Sequence, residues 1–178
     1  MLRLSVHQKG SGNMKTRTNP ERRKKLRRIF AYILVSAAGL YVVFFLISII
    51  IVNGYDSVDY QSGGFGIVMD QVTIGMKNGD GHITCCNSNA EITLDTDITV
   101  SEKDLRELKL KMAFSLAPFW FPRYVDPMIL DGNQWRFYFY SGDSQKYVYG
   151  SNAEPFGLSG IEKLFYELEY EAMQNLQE

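Results

Sequence analysis

The chain is poor in the residues that do chemistry. Of 178 residues only two are cysteines and two are histidines. Cys85 and Cys86 are adjacent, so the CxxC spacing of a structural zinc site is missing, and His82 is the only histidine outside the N-terminal tail. A serine or cysteine nucleophile needs a base, and His82 is the sole imidazole on offer. A histidine beside a turn is ordinarily solvated, so this pairing carries little. Gly63-Gly64 precedes a strand pattern and not a helix, which excludes a phosphate-cradling loop. Asn78-x-Asp80-Gly81 echoes a calcium loop, but with Gly81 as the sixth position the twelfth is Asn87, where glutamate is required. The carboxylates of the last helical segment, Glu162, Glu167, Glu169 and Glu171, scatter round an outer arc and read as a solvated face. The expectation is a chain with no catalytic residues, no metal ligands and no cofactor, and so no enzyme.

Charge is also missing where it matters. From Ile29 to Val52, twenty-four residues carry none. As a helix they extend about 36 Å at about 1.5 Å per residue, enough for a hydrocarbon core of about 30 Å. A buried core helix would show a polar stripe, and this segment has none. A cleaved signal peptide is the rival reading, since Ser36, Ala37 and Ala38 resemble a cleavage site. Cutting there would leave an exposed apolar N-terminus, YVVFFLISIIIV, which favours an uncleaved anchor.

Acids are scarce in residues 1–28, which hold ten of the nineteen Lys and Arg against one acid, Glu21. Residues 53–178 hold nine bases against nineteen acids. The basic flank before Ile29, set against Asp56 and Asp59 after Val52, predicts a cytoplasmic N-terminus and an extracytoplasmic C-terminal domain in the cell membrane. An acidic domain repels phosphate backbones, so nucleic acid is not expected as a partner. Met14 opens a conventional leader, MKTRTNPERRKKLRR, and is the expected translation start of a bacterial gene.

The rest of the chain alternates and turns. Asn53–Gly63 reads as a polar linker. A long strand pattern runs from Phe65 to Met76 and changes face midway: Phe65, Ile67 and Met69 share one parity, Val72, Ile74 and Met76 the other, which predicts a bulge near Asp70 or Gln71. Asn78-Gly79-Asp80-Gly81 is a hairpin turn, followed by a strand from His82 to Cys86, with a possible resumption over Glu91–Val100. Ser101 and Asp104 form a capping box for a helix with inner stripe Leu105, Leu108 and Met112. Trp135, Phe137 and Phe139 alternate with Arg136, Tyr138 and Tyr140, Ser141–Ser144 turns, and Gln145–Tyr149 returns. After a loop over Gly150–Gly157, Ser159 and Glu162 form a second capping box, and Ile161, Leu164, Phe165, Leu168 and Ala172 make a helical stripe. The expected fold class is α+β: one transmembrane helix plus a ββαββα domain, with a four-stranded antiparallel sheet and both helices on one face. The expected boundaries are a tail over 1–28, a span over 29–52, a linker over 53–63 and a domain over 64–178.

Ser62-Gly63-Gly64-Phe65 opening a strand, Asp131-Gly132 before Trp135, and Gly150-Ser151-Asn152 with Pro155 before the last helix resemble a small domain of secreted and membrane-anchored proteins of Gram-positive bacteria. More distantly the pattern is similar to emfourin, the protein inhibitor of the metalloprotease protealysin. The resemblance covers roughly residues 60–175 and implies a fold and a non-enzymatic tendency. The membrane anchor and the helix-linking loop depart from emfourin, and no inhibitory residue is carried over.

Surfaces are what remain. Phe119, Trp120, Phe121 and Tyr124 crowd one connection that holds Pro118 and Pro122. These rings either close one end of the core or form a contact patch for a partner or the membrane interface. Tyr138, Tyr140, Tyr147 and Tyr149 line the sheet face that the helices leave open, and such rings suit an interface. Cys85 and Cys86 read as one inward and one outward thiol, with a vicinal disulfide as the strained alternative. The functional expectation is a non-catalytic, membrane-anchored protein-binding module that touches the bilayer through Ile29 to Val52. A protease-inhibitor-like module is the runner-up, and an envelope-associated hydrolase has the least residue support.

Overall fold

Residues 20–64, 67–86, 91–129 and 132–175 are described by the structure, a computed structural model. The first nineteen residues, including Met14, lie outside them. The chain divides into two compact units, Met1–Leu40 and Tyr41–Glu178.

One helix, α1 (Pro20–Asn53), runs through both units. It is long and apolar enough to cross a membrane. In the first unit every described side chain from Glu21 to Leu40 is exposed.

The second unit takes in residues 41–53 of α1 and then a mixed sheet. In chain order come β1 (Ser57–Gly64), β2 (Ile67–Gly75), β3 (Asp80–Cys86), β4 (Ile92–Thr99), α2 (Glu102–Phe114), a 3-10 turn (Ala117–Phe119), β5 (Arg123–Val125), β6 (Asn133–Ser141), β7 (Ser144–Ser151) and α3 (Leu158–Asn175). The fold is α+β, but the sheet has seven strands in the order β4-β3-β2-β1-β6-β7-β5 and not four. The expected ββαββα order is thereby corrected. β5 pairs parallel with β7, and the other pairings are antiparallel.

Of the three extra strands, β4 falls on the expected resumption over Glu91–Val100, and β1 and β5 were hidden by composition. The stretch read as a linker, Asn53–Gly63, contains most of β1, the strand at the centre of the sheet. Its sequence, SVDYQSGG, places only Val58 and Tyr60 as large apolar residues on the buried face, against Asp59 and Gln61 on the other. β4 alternates two aspartates with Leu94 and Ile98, and β5 is three residues long at an edge. The predicted bulge is real and sits one residue early. Ser62 pairs with Asp70 and Gly63 with Val68, so Met69 is the extra residue. The side chains of Phe65, Ile67 and Met69 lie outside the described residues.

The hairpin turns follow their chemistry. Gly79 takes φ of 77° between β2 and β3, a conformation in which a side chain would be strained. Ser101 caps α2: its Oγ accepts from the Asp104 backbone N–H at 3.2 Å and donates to the Asp104 carboxylate at 2.5 Å. The second capping box is not made. α3 starts one residue early, at Leu158, and Glu162 is turned inward. There its carboxylate accepts from the Tyr60 hydroxyl at 2.6 Å.

Both helix stripes are buried as their spacing predicted: Leu105, Leu108 and Met112 on α2, and Ile161, Leu164, Phe165, Leu168 and Ala172 on α3. They cover the sheet face that carries Tyr60, Trp135, Phe137 and Phe139, none more than 1% exposed. Burying each such ring contributes about 1.5–3 kcal/mol. Gly150 is required here, because a Cβ would stand 2.1 Å from the Trp135 ring that lies over it.

Candidate functional site

Among the described residues no helix covers the opposite sheet face, and strand register lays its side chains out in rows. One row crosses six strands: Tyr147, Tyr138, Asp59, Thr73, His82 and Asp97. A second crosses all seven: Arg123, Tyr149, Arg136, Gln61, Gln71, Thr84 and Asp95. Tyr140 stands beside Tyr138, opposite Ser57 and Gln145. The face therefore has a half rich in tyrosine and arginine on β5, β6 and β7, and an acidic half on β3 and β4.

The four expected tyrosines do converge on this face. Tyr138 lies 4.9 Å from Tyr147 and 6.4 Å from Tyr140, ring centroid to centroid. Tyr147 is 43% exposed, while Tyr138, Tyr140 and Tyr149 are half-buried. Partial burial pushes the Tyr138 hydroxyl pKa up.

The other four expected residues belong elsewhere. Trp120 is core: it is 6% exposed, meets Trp135, Phe137 and Phe139 edge-on, and donates from Nε1 to the Ser115 carbonyl at 2.9 Å. Its place on an interaction surface is corrected by that packing. Tyr124 is half-buried on the helix side, against Trp135, and its hydroxyl accepts from the Phe121 backbone N–H. Phe119 and Phe121 are exposed, and Phe119 packs edge-on against Phe44 of α1. The connection Phe119–Tyr124 and the tyrosine face thus belong to opposite sides of the sheet and do not form one surface.

At the centre of the open face sits a residue that the linker reading missed. Asp59 is 7% exposed. Its Oδ2 accepts from the side-chain amides of Gln61 and Gln71, both at 3.2 Å, and its Oδ1 has no partner among the described residues. Burial raises the pKa of this carboxyl, opposed by the two amide donors. The alternation of Val58 and Tyr60 with Asp59 and Gln61 was the available signal. At the acidic end His82 bridges two carboxylates of β4, with Nδ1 at 2.9 Å from Asp97 and Nε2 at 2.7 Å from Asp95. The Asp97 bond, helped by the Asp95 bond and the charges of both carboxylates, raises the pKa of His82, opposed by desolvation.

His82 does not meet a thiol. Both cysteines are free, Cys85 buried on the helix side and Cys86 half-exposed on the other. Cys86 shares His82's parity but lies four residues along the strand, about 13 Å away at about 3.3 Å per residue.

A second polar cluster lies on the helix side. Asp70, Cys85 and Glu169 each bring one oxygen or sulfur within 4.8 Å of the others. Glu169 is 6% exposed and its Oε1 is unpartnered among the described residues. Burial, with the Asp70 charge added, pushes its carboxyl up to about 7. Burial likewise pushes the Cys85 thiol up to about 12, which makes it a poor nucleophile. By geometry the three groups could hold a cation. The outer-arc reading holds for Glu167 and Glu171, which are exposed, but not for Glu162 and Glu169, which are buried. Glu162 follows Leu158 by four residues and Glu169 follows Phe165 by four, so helical spacing placed both at the border of the stripe.

No protein-family model matches the chain, and no curated protein sequence matches it.

Proposed function

We propose that this is a single-pass membrane protein, anchored by α1 with its N-terminus cytoplasmic, whose extracytoplasmic domain binds another protein through the open sheet face without catalysis. The observation that carries the reading is the uncovered tyrosine row on β6 and β7, which continues into the buried, half-bonded carboxylate of Asp59. Tyrosine offers a large, rigid contact area with a hydrogen-bonding tip, which is why it is enriched at interfaces. An unpaired carboxylate oxygen in such a setting is costly unless a partner supplies a donor. The partner that fits brings a cationic or N–H group to Asp59 and flat or apolar surface to Tyr138 and Tyr147. Orientation follows from the basic residues before Ile29 and the acids after Val52.

The test is photocrosslinking in native membranes. A benzophenone side chain at Tyr147 should give discrete adducts with a partner protein, while the same group at Lys163, exposed on α3, should not. Adducts from Lys163 alone would move the interface to the helix side. Absence of adducts from Tyr147 in folded, membrane-inserted protein would end the proposal.

A further inference from the structure

The second unit carries an apolar surface that its own fold leaves bare. Residues 41–53 of α1 are two-sided: Tyr41, Phe45, Ser48 and Val52 are buried or half-buried in the domain, while Val42, Val43, Leu46, Ile47 and Ile50 are exposed. The bare side does not stop at the helix. Phe114, 54% exposed at the end of α2, packs on Tyr41. Phe119, 40% exposed, packs on Phe44. Phe156, 66% exposed in the loop before α3, packs on Phe114. These three phenylalanines, from the end of α2, the 3-10 turn and the loop before α3, thus extend the apolar side of α1 sideways over the domain.

The backbone at this tip obeys a rule that water does not impose. Inside hydrocarbon every carbonyl must find a donor within the protein. Five consecutive carbonyls here do so. The Phe114 oxygen accepts from the Tyr41 hydroxyl at 2.7 Å, and the Ser115 oxygen from Trp120 Nε1 at 2.9 Å. The Leu116 oxygen accepts from the Phe119 N–H at 2.8 Å. Lys146 reaches under the turn and donates to the Ala117 oxygen at 3.0 Å and the Pro118 oxygen at 2.6 Å. A solvated loop of this length would leave several such groups to water.

Polar groups mark where the bare surface ends. Arg106 and Lys109 of α2 line a groove with Ile49, Val52 and Asn53, at the C-terminal end of α1. Long basic side chains at that level suit lipid headgroups. From Asn53 to Tyr41, the α1 residue that Phe114 touches, is twelve residues, about 18 Å along a helix, so the collar reaches to about the middle of a hydrocarbon core of about 30 Å.

We propose that the connection from Phe114 to Phe119, together with Phe156, is immersed in the outer leaflet of the bilayer beside α1, so that the domain is partly embedded and not held off on a tether. The inference rests on the reading of α1 as the membrane anchor. Lipid is the occupant because the patch continues the exposed apolar side of α1 and hides its backbone oxygens, with the Lys146 ammonium turned inward onto two of them.

The full chain in phosphatidylcholine/phosphatidylglycerol vesicles tests this. Phe156→Trp should add an emission component lost mostly to acyl-brominated lipid and spared by aqueous acrylamide. Tyr147→Trp, on the open sheet face, should show the reverse. Acrylamide quenching of Trp at 156 would put the patch in water, and quenching by neither agent would put it under protein, a second copy included; each result overturns the proposal. An alkaline carbonate wash separates the two readings. A chain that washes off has no anchor, and both fall. A chain that stays while position 156 is quenched from water keeps its anchor and loses the immersed collar.

Discussion

The two faces of the sheet are made by the same strands and solve opposite problems. On the helix side Tyr60, Trp135, Phe137 and Phe139 are cut off from water; Tyr60 gives its hydrogen bond to Glu162, and burial pushes the Glu169 carboxyl, whose Oε1 has no partner among the described residues, up to about 7. On the open side Tyr138 stacks on Tyr140 and meets Tyr147 at a tilt, and Asp59 keeps one oxygen without a donor among the described residues. Alternation along one strand, β6, separates the two regimes residue by residue. Side chains on the helix side are held by packing, whereas those on the open side are arranged by it and remain available to a partner.

The difference can be broken most severely at the helix side. Phe137→Ala should cost about 3–5 kcal/mol, a large part of a small domain's stability, whereas Tyr138→Ala next to it should cost far less. Thermal unfolding of the detergent-solubilised chain would show this, and equal shifts would contradict the register. Trp120→Ala belongs with Phe137, because it removes a core ring and orphans the Ser115 carbonyl. It should lower the melting temperature about as much.

A smaller effect is expected at the buried hydrogen bond. Tyr60→Phe keeps the ring and leaves the Glu162 carboxylate without its donor, at a cost of about 1–3 kcal/mol. Glu162→Gln in the same background should restore part of that loss, as a neutral amide is cheaper to bury.

Next comes pH. Burial pushes the folded Glu169 carboxyl up to about 7, from an ordinary value of 4.5. Between those values the folded chain holds a proton that the unfolded chain has released, so stability falls as pH rises through this window. Glu169→Gln should remove that dependence and stabilise the protein above pH 7 by roughly 1–3 kcal/mol, with little effect at pH 4. Melting temperatures of both proteins across that range would check it, and parallel curves would contradict the burial argument. The smallest effect on stability is expected at Tyr147→Ala, within about 0.5 kcal/mol, as for surface substitutions generally.

Much of this contrast was legible in the sequence where side chains alternate strongly. The pattern of Trp135 to Tyr140 divided the two faces correctly, and helical spacing found the inner stripes of α2 and α3. β1 was not legible because a central strand ordinarily shows more than Val58 and Tyr60, and its Ser-Gly-Gly end reads as a loop. Glu162 and Glu169 were assigned to water on charge alone, although their spacing from Leu158 and Phe165 set them beside the core. Trp120 was ambiguous for a physical reason: local sequence does not say whether a ring between two prolines turns inward, and the rings that receive it, Trp135, Phe137 and Phe139, are tertiary partners.

The central claim is that the open face, and not the helix side, is where this protein meets its partner. It is tested most directly by the affinity of the photocrosslinked partner for Tyr147→Ala, measured with protein shown by circular dichroism to be folded. The account predicts a loss of about 2 kcal/mol, close to thirtyfold in Kd. Unchanged affinity in a folded variant would contradict it.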